Sequence, residues 1–171
     1  MAGERSGEGT GWALRLVGPL TVVRDGRALA PGEVGSRKAR SLLAVLAAHR
    51  PAALPADRLV AALWPDRPPR DPEDNVATLV SRLRAALGPA AVAGGRTGYR
   101  LGPLLAGAVD LDEAAGLVRV SRDRAAGGEP ALALAAARRA VELLDGGEVL
   151  TGESDAEWVQ AARRAAERLL R

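Results

Sequence analysis

Between Asp71 and Pro89 the chain marks both ends of one helix, and this stretch limits the fold more than any other. Val76, Leu79, Val80, Leu83 and Leu87 recur at i, i+3, i+4, i+7 and i+11, which is one apolar helical stripe. Asp71 suits the N-cap, Pro72 the first helical position, and Glu73 and Asp74 the positive end of the helix dipole. Gly88-Pro89 stops the helix. Thr78, Ser81, Arg82 and Ala85 fall opposite the stripe, and Arg84 flanks it. Small polar groups and an arginine on the outward face suit a DNA major groove, although an ordinary amphipathic surface helix has the same pattern.

The elements around it extend the reading. Leu14–Val17 and Leu20–Val23 read as short strands split by Gly18-Pro19, and Asp25-Gly26 is a hairpin signal leading into residues 27–29. Ser36–His49 reads as a helix buried through Ala39, Leu42, Leu43 and Leu46. Ala56–Trp64 reads as a second helix, entered from Pro55 and ended by Pro65. Residues 92–101 read as a terminal hairpin around Gly94-Gly95 and Gly98. Strands, three helices and a hairpin are the plan of a winged helix. After Gly102-Pro103 the pattern turns all-helical. Asp110–Ala126 buries Leu111, Ala114, Ala115 and Val118. Glu129–Leu144 turns Ala133, Leu134, Ala137 and Val141 inward, and a third helix runs from Asp155 to the end. Helix pairs joined by Gly turns suggest helical-repeat packing.

Composition narrows the function classes. There is no Cys, which rules out disulfides and Cys-based zinc sites. There is no Phe either, so Leu, Val and Ala build the core around Trp12, Trp64, Trp158 and Tyr99. No apolar run reaches the roughly 18 residues of a membrane span. Residues 1–11 lack the apolar stretch of a signal peptide and read as a disordered lead-in. The expectation is a soluble cytoplasmic protein with no membrane partner. Lys and Arg outnumber Asp and Glu by 14 to 7 over residues 12–103, whereas residues 104–171 carry 9 against 12. The positive charge therefore sits on the first module, where it suits a polyanion or a solvated basic surface.

Four ordered blocks carry a family resemblance. Residues 35–46, from Gly35-Ser36-Arg37-Lys38 onward, resemble the first-helix motif of the SARP family of bacterial transcriptional regulators. Residues 58–64 resemble its second helix, residues 80–88 its recognition helix, and Gly98-Tyr99-Arg100-Leu101 the end of its wing. Val109-Asp110-Leu111 resembles the start of the family's bacterial transcriptional activator domain (BTAD). The resemblance implies an α+β winged helix (OmpR/PhoB-like) over residues 12–103, followed by an all-α TPR-like segment at 108–171. It implies binding of double-stranded DNA at direct repeats near promoters. It also implies activation through RNA polymerase, often of secondary-metabolite genes, with the protein nucleoid-associated when bound. Departures are visible too. The family's activator domain is longer than residues 108–171, its usual Phe after Val109-Asp110-Leu111 is absent, and Leu144-Asp145-Gly146-Gly147 replaces a Trp-Arg-Gly-like pattern. A shortened helical array is less stable or dimerises, so a homodimer on DNA is one expectation. The chain is then either a fragment or a short variant. A protein-interaction module, or a DNA-binding competitor without activation, stands as the alternative function.

Thr78, Ser81 and Arg82 are the candidates for the groove face, with Arg82 suited to bidentate contact with guanine. Asn75 and Arg84 sit at its margins, where phosphates would lie. Arg96 and Thr97 mark the wing tip. Lys38 and Arg58, near helix starts, suit phosphate contacts or structural salt bridges. Tyr99 reads as half core and half hydroxyl donor, and Trp64 as a core plug. Asp66, Arg67 and Arg70 charge the Trp64–Asp71 connection, which faces polymerase in the resembled fold and is otherwise a rigid surface turn.

Enzyme readings fare poorly. Gly32 to Lys38 lacks the Gly-Lys-Ser/Thr ending of a phosphate loop. The lone His49 falls at a helix end, where the dipole favours it. Asp71, Glu73 and Asp74 are accounted for by the start of a helix rather than by a metal. No catalytic residue, cofactor or metal is expected.

Overall fold

The structure is a computed structural model that describes residues 11–171. The reading of residues 1–11 as a lead-in therefore falls, apart from Gly11, outside the described residues.

Strands β1 (Trp12–Arg15), β2 (Thr21–Arg24) and β3 (Arg27–Ala28) form an antiparallel sheet in that order, with Leu14 opposite Val22 and Val23 opposite Ala28. The β2–β3 turn places Asp25 at φ 52° and Gly26 at φ 79°. This pair of positive φ values matches the right-handed twist of a two-residue hairpin. A short helix α1 (Pro31–Val34) follows, a single turn that no periodicity announces. The carboxylate of Glu33 accepts the Ala30 N–H at 2.7 Å at its start.

Helix α2 (Arg37–Ala48) is capped by Ser36, whose Oγ accepts the Ala39 N–H at 3.2 Å. Besides the four positions expected from periodicity, Ala44, Val45 and Ala47 are fully buried, so α2 is covered on more than one side. Helix α3 (Ala56–Leu63) begins at Pro55 and buries Ala56, Leu59 and Leu63. Helix α4 (Pro72–Leu87) buries Val76, Leu79, Val80, Leu83 and Leu87 against α2 and α3, the stripe read from the sequence. The cap of α4 differs from the expected one. The Asp71 side chain makes no capping bond; instead its carbonyl accepts the Asn75 N–H at 3.0 Å and Asn75 Nδ2 at 2.8 Å.

A turn over Pro89–Ala91 leads into the wing, β4 (Val92–Gly95) paired antiparallel with β5 (Gly98–Leu101). Gly94, at φ 96°, leaves no room for a side chain, because a Cβ there would lie 2.1 Å from the Gly98 carbonyl oxygen. Leu54 exchanges two backbone hydrogen bonds with Tyr99, at 2.7 and 2.9 Å, and so anchors the wing to the α2–α3 connection. The first half is thus winged-helix-like.

The second half is helical: α5 (Pro103–Ala106), α6 (Asp110–Ala126), α7 (Pro130–Leu144) and α8 (Glu157–Leu169). α6 and α7 form a hairpin around Gly127-Gly128, close to the sequence boundaries. The inward face of α7 differs from the expected Ala133, Leu134, Ala137 and Val141, however. Ala133, Ala136 and Ala140 are buried, whereas Leu134 and Val141 are 51% and 53% exposed. Small side chains let the two helices approach closely. The alanine stripe therefore takes the contact and turns the bulkier pair aside.

The two halves share one core. Val149, Leu150, Val159, Ala162 and Ala166 belong to the same buried cluster as Leu14, Leu16, Leu42 and Val45. The Leu14 N–H donates to the Ala108 carbonyl at 2.8 Å, and the Leu150 N–H to the Leu16 carbonyl at 2.7 Å. Asp110, only 8% exposed, accepts the N–H groups of Leu16 (3.0 and 2.9 Å), Val17 (3.0 Å) and Leu111 (2.8 Å). The backbone donors beyond the end of β1 are therefore satisfied by a carboxylate from the start of α6, as buried N–H groups must be. Arg50 grips Asp112 bidentately, both N–O distances being 2.7 Å, and Ser41 Oγ donates to Glu153 at 3.1 Å.

Candidate nucleic-acid interface

Burial of the α4 stripe leaves Asn75, Thr78, Ser81 and Arg82 exposed together on the opposite face. Their hydrogen-bonding states differ in a useful way. Asn75 spends Nδ2 on the Asp71 carbonyl, which leaves its Oδ1 free to accept. Thr78 Oγ1 donates to the Asp74 carbonyl at 2.9 Å, which leaves the oxygen lone pairs outward. Ser81 and Arg82 have no hydrogen-bonding or ionic partner among the described residues. Arg82 in particular keeps its planar donor fork uncommitted, the geometry that reads the O6/N7 edge of guanine.

Arg84 has a different place from that expected. Its Nε donates to the Val92 carbonyl at 2.9 Å and its Nη2 to the Gly94 carbonyl at 2.8 Å. Half-buried and doubly bonded, it fastens the wing to α4 rather than standing free at the groove margin. Lys38 is likewise committed. Its Nζ donates to the Leu63 carbonyl and lies 5.3 Å from the Trp64 ring centroid, so it closes the end of α3. In both cases a backbone carbonyl brought close by the fold takes the cation.

Arg96 stands at the wing tip and pairs with Asp74 on the first turn of α4 at 3.1 Å, while Thr97 beside it is exposed. The wing thus runs along α4, fastened near residue 84 and again near residue 74. Arg58 is exposed on α3 and lines a cleft with His49, Leu54 and Trp158, on the side of α8. Asp66, Arg67 and Arg70 are exposed along the α3–α4 connection, without partners among the described residues. Arg100 was not singled out from the sequence. It is exposed on β5 between buried Tyr99 and Leu101, and that in-out alternation was its signal.

The other polar readings resolve as structure. Tyr99 is 5% exposed and belongs to the core, and Trp64 is half-buried against it. His49 is the C-cap of α2, with Nδ1 2.9 Å from the Val45 carbonyl oxygen. Gly32 lies within α1, so the phosphate-loop look-alike is helical there. The Arg27 guanidinium, helped by the Ala30 N–H, draws the carboxyl of Glu33 down to about 2. Among the described residues no three His, Cys, Asp or Glu side chains gather as a metal site, and no helix is long and apolar enough to cross a membrane.

Residues 34–101 match the family described as "Transcriptional regulatory protein, C terminal". The chain is 36% identical over 137 residues to the regulatory protein AfsR of Streptomyces coelicolor, a match spanning 80% of this chain and 13% of AfsR. It is 36% identical over 92 residues to the transcriptional regulatory protein EmbR of Mycobacterium tuberculosis, covering 50% of this chain and 23% of EmbR. The solved structure of Mycobacterium tuberculosis EmbR in complex with a low-affinity phosphopeptide superposes with a TM-score of 0.81 at 28% identity, over 94% of this chain and 43% of that one. The chain therefore spans less than half the length of each of these relatives. The likeness nevertheless runs through both the winged and the helical halves.

Proposed function

We propose a function on the premise that residues 34–101 belong to the family of C-terminal domains of transcriptional regulatory proteins and that the chain is a homologue of AfsR and EmbR. The protein binds double-stranded DNA in a sequence-specific way and regulates transcription at the nucleoid. Helix α4 enters the major groove, Arg82 with Ser81 and Thr78 reads base edges, and the wing tip at Arg96 and Thr97 meets the flanking backbone or minor groove. The observation that carries this reading is the uncommitted donor fork of Arg82 among short polar side chains, on the exposed face of a helix braced by its own wing.

In finer detail, two copies occupy direct repeats near a promoter. The connection bearing Asp66, Arg67 and Arg70 faces RNA polymerase, and the outcome is activation, of secondary-metabolite genes among others. These points rest on the resemblance to the SARP regulators. A second reading draws on the exposed Leu132, Leu134 and Val141 of α7. In it the helical half binds a protein partner, and the chain occupies DNA as a competitor without activating.

The test is selection of genomic fragments by the purified chain, with affinity followed against salt. Enrichment of spaced direct repeats with a steep salt slope supports the regulator. Arg82→Ala should then weaken the selected site by about 1–3 kcal/mol. Weak binding with no enrichment overturns it in favour of the interaction module.

A further inference from the structure

The wing is held to α4 by two arginines of opposite character. Arg84 is half-buried and bonded to two carbonyls of β4, so the base of the wing is fixed. Among the described residues Arg96 at the tip is held only by the carboxylate of Asp74, with the two side chains 82% and 69% exposed. An exposed pair of this kind adds little to stability, because solvent screens it and ordering two side chains offsets the gain. It is also easily exchanged: another anion at the same place can take Arg96 with little loss.

We propose that Asp74 is a specificity-setting residue that occupies the wing-tip arginine until DNA of the right local shape displaces it. This rests on the DNA-binding reading above. Arg96 lies beside the first turn of α4, where the helix would meet the duplex, so the phosphates flanking the groove compete directly with the Asp74 carboxylate. Off DNA, Asp74 neutralises the cation at the wing tip. On a poorly fitting duplex the pair persists, Arg96 contributes no phosphate contact, and the Asp74 charge opposes the backbone. On a site whose narrow groove concentrates negative potential, Arg96 transfers to the DNA. The carboxylate thus lowers affinity everywhere but lowers it most where the fit is poor. Glu73 and Asp71, both exposed beside it, add to the same acidic edge but among the described residues have no wing partner.

Asp74→Asn keeps the shape and the backbone carbonyl that accepts Thr78, and removes only the charge. The expected result is tighter binding to a duplex of unrelated sequence, by roughly three- to eightfold at 0.1 M salt. The slope of log affinity against log salt should steepen by about 0.9, the signature of one more neutralised phosphate. The selected site should gain less, so the ratio of specific to non-specific affinity falls. Asp74→Glu should behave as wild type, and Asp74→Asn in an Arg96→Ala background should gain no slope. Thermal melting of each variant confirms a folded protein. A wild type that binds duplex while Asp74→Asn matches it in affinity and slope overturns this proposal alone. So does a gain that survives loss of Arg96, which would make it a general charge effect. A wild type that binds no duplex overturns the DNA-binding reading and this proposal with it.

Discussion

Replacing Asp110 by Ala tests how the helical half is joined to the winged half. The carboxylate accepts from three backbone N–H groups, those of Leu16, Val17 and Leu111, at 2.8–3.0 Å, and Leu16 and Leu111 are buried. A hydrogen bond to a charged group contributes about 1.5–3 kcal/mol net. The three do not simply add, because one desolvated carboxylate serves them all. Removing the carboxylate leaves three neutral N–H groups without this acceptor, at about 1–3 kcal/mol for each that stays buried and unpaired. Asp110→Ala should therefore lose about 3–5 kcal/mol, a large part of the roughly 5–15 kcal/mol typical of a domain. Asp110→Asn should lose about 2 kcal/mol, because one oxygen still accepts while the new NH2 opposes a backbone donor. Urea unfolding followed by tryptophan fluorescence suits the measurement. Trp12 lies on β1 and Trp158 on α8, so both halves report. Amide exchange at Leu16 and Val17 should accelerate in the same variants. A loss below about 1 kcal/mol for Asp110→Ala, with exchange at those amides unchanged, would refute the reasoning.

Three further outcomes are expected. The Glu33 carboxyl should titrate near 2, because Arg27 and the Ala30 N–H favour its charged form. Its native value lies below the unfolded one, so the pair's small contribution is full above the ordinary value of 4.5 and lost as pH falls towards 2. NMR titration of the side chain checks this, and Arg27→Ala should return the midpoint towards 4.5. Lys38→Met should cost about 1–2 kcal/mol of stability while leaving the salt slope of DNA binding unchanged; a slope reduced by about 1 in a salt titration would restore Lys38 as a phosphate contact. Leu134→Ser and Val141→Ser should each change stability by no more than about 0.5 kcal/mol in urea unfolding, whereas Ala140→Leu should cost about 1–3 kcal/mol by forcing α6 and α7 apart.

What was legible in the sequence was whatever local chemistry enforces. Ser36 caps α2, Pro72 opens α4, Gly88 closes it, and Asp25-Gly26 turns the hairpin, each because the backbone there admits few residue types. The α4 stripe was legible because five Leu and Val residues at helical spacing allow one buried face. On α7 the rule failed for a physical reason. An alanine-rich helix offers two competing faces, and bulk pointed to one while close approach chose the other. Among the candidate site residues, Ser81 and Arg82 stand free as the pattern implied. Arg84 and Lys38 do not, because their partners are carbonyls on β4 and at the end of α3, set by packing rather than by spacing. In the sequence Asp110 marks the opening of a helix and the start of the BTAD-like segment, with no sign of a distant partner. Its bond to Leu16 spans 94 residues, and nothing near it in the chain announces that.

The helical half completes the core of the winged half rather than hanging from it. α2 is the shared element: one side packs on α3 and α4, and α8 packs against it as well. Val45, fully buried, faces the cleft shared with Trp158 and Ala161, and Ala48 faces Ala162 and Ala166. The Arg50–Asp112 and Ser41–Glu153 contacts both reach from α2 or its end into the second half. α2 also supports α4, whose outward face carries Arg82. A displacement of α8 would therefore reach α4 through one rigid helix rather than through a linker. In close-packed interiors such shifts pass on because no free volume absorbs them. The geometry of the proposed DNA-reading face thus depends on the docking of the helical half.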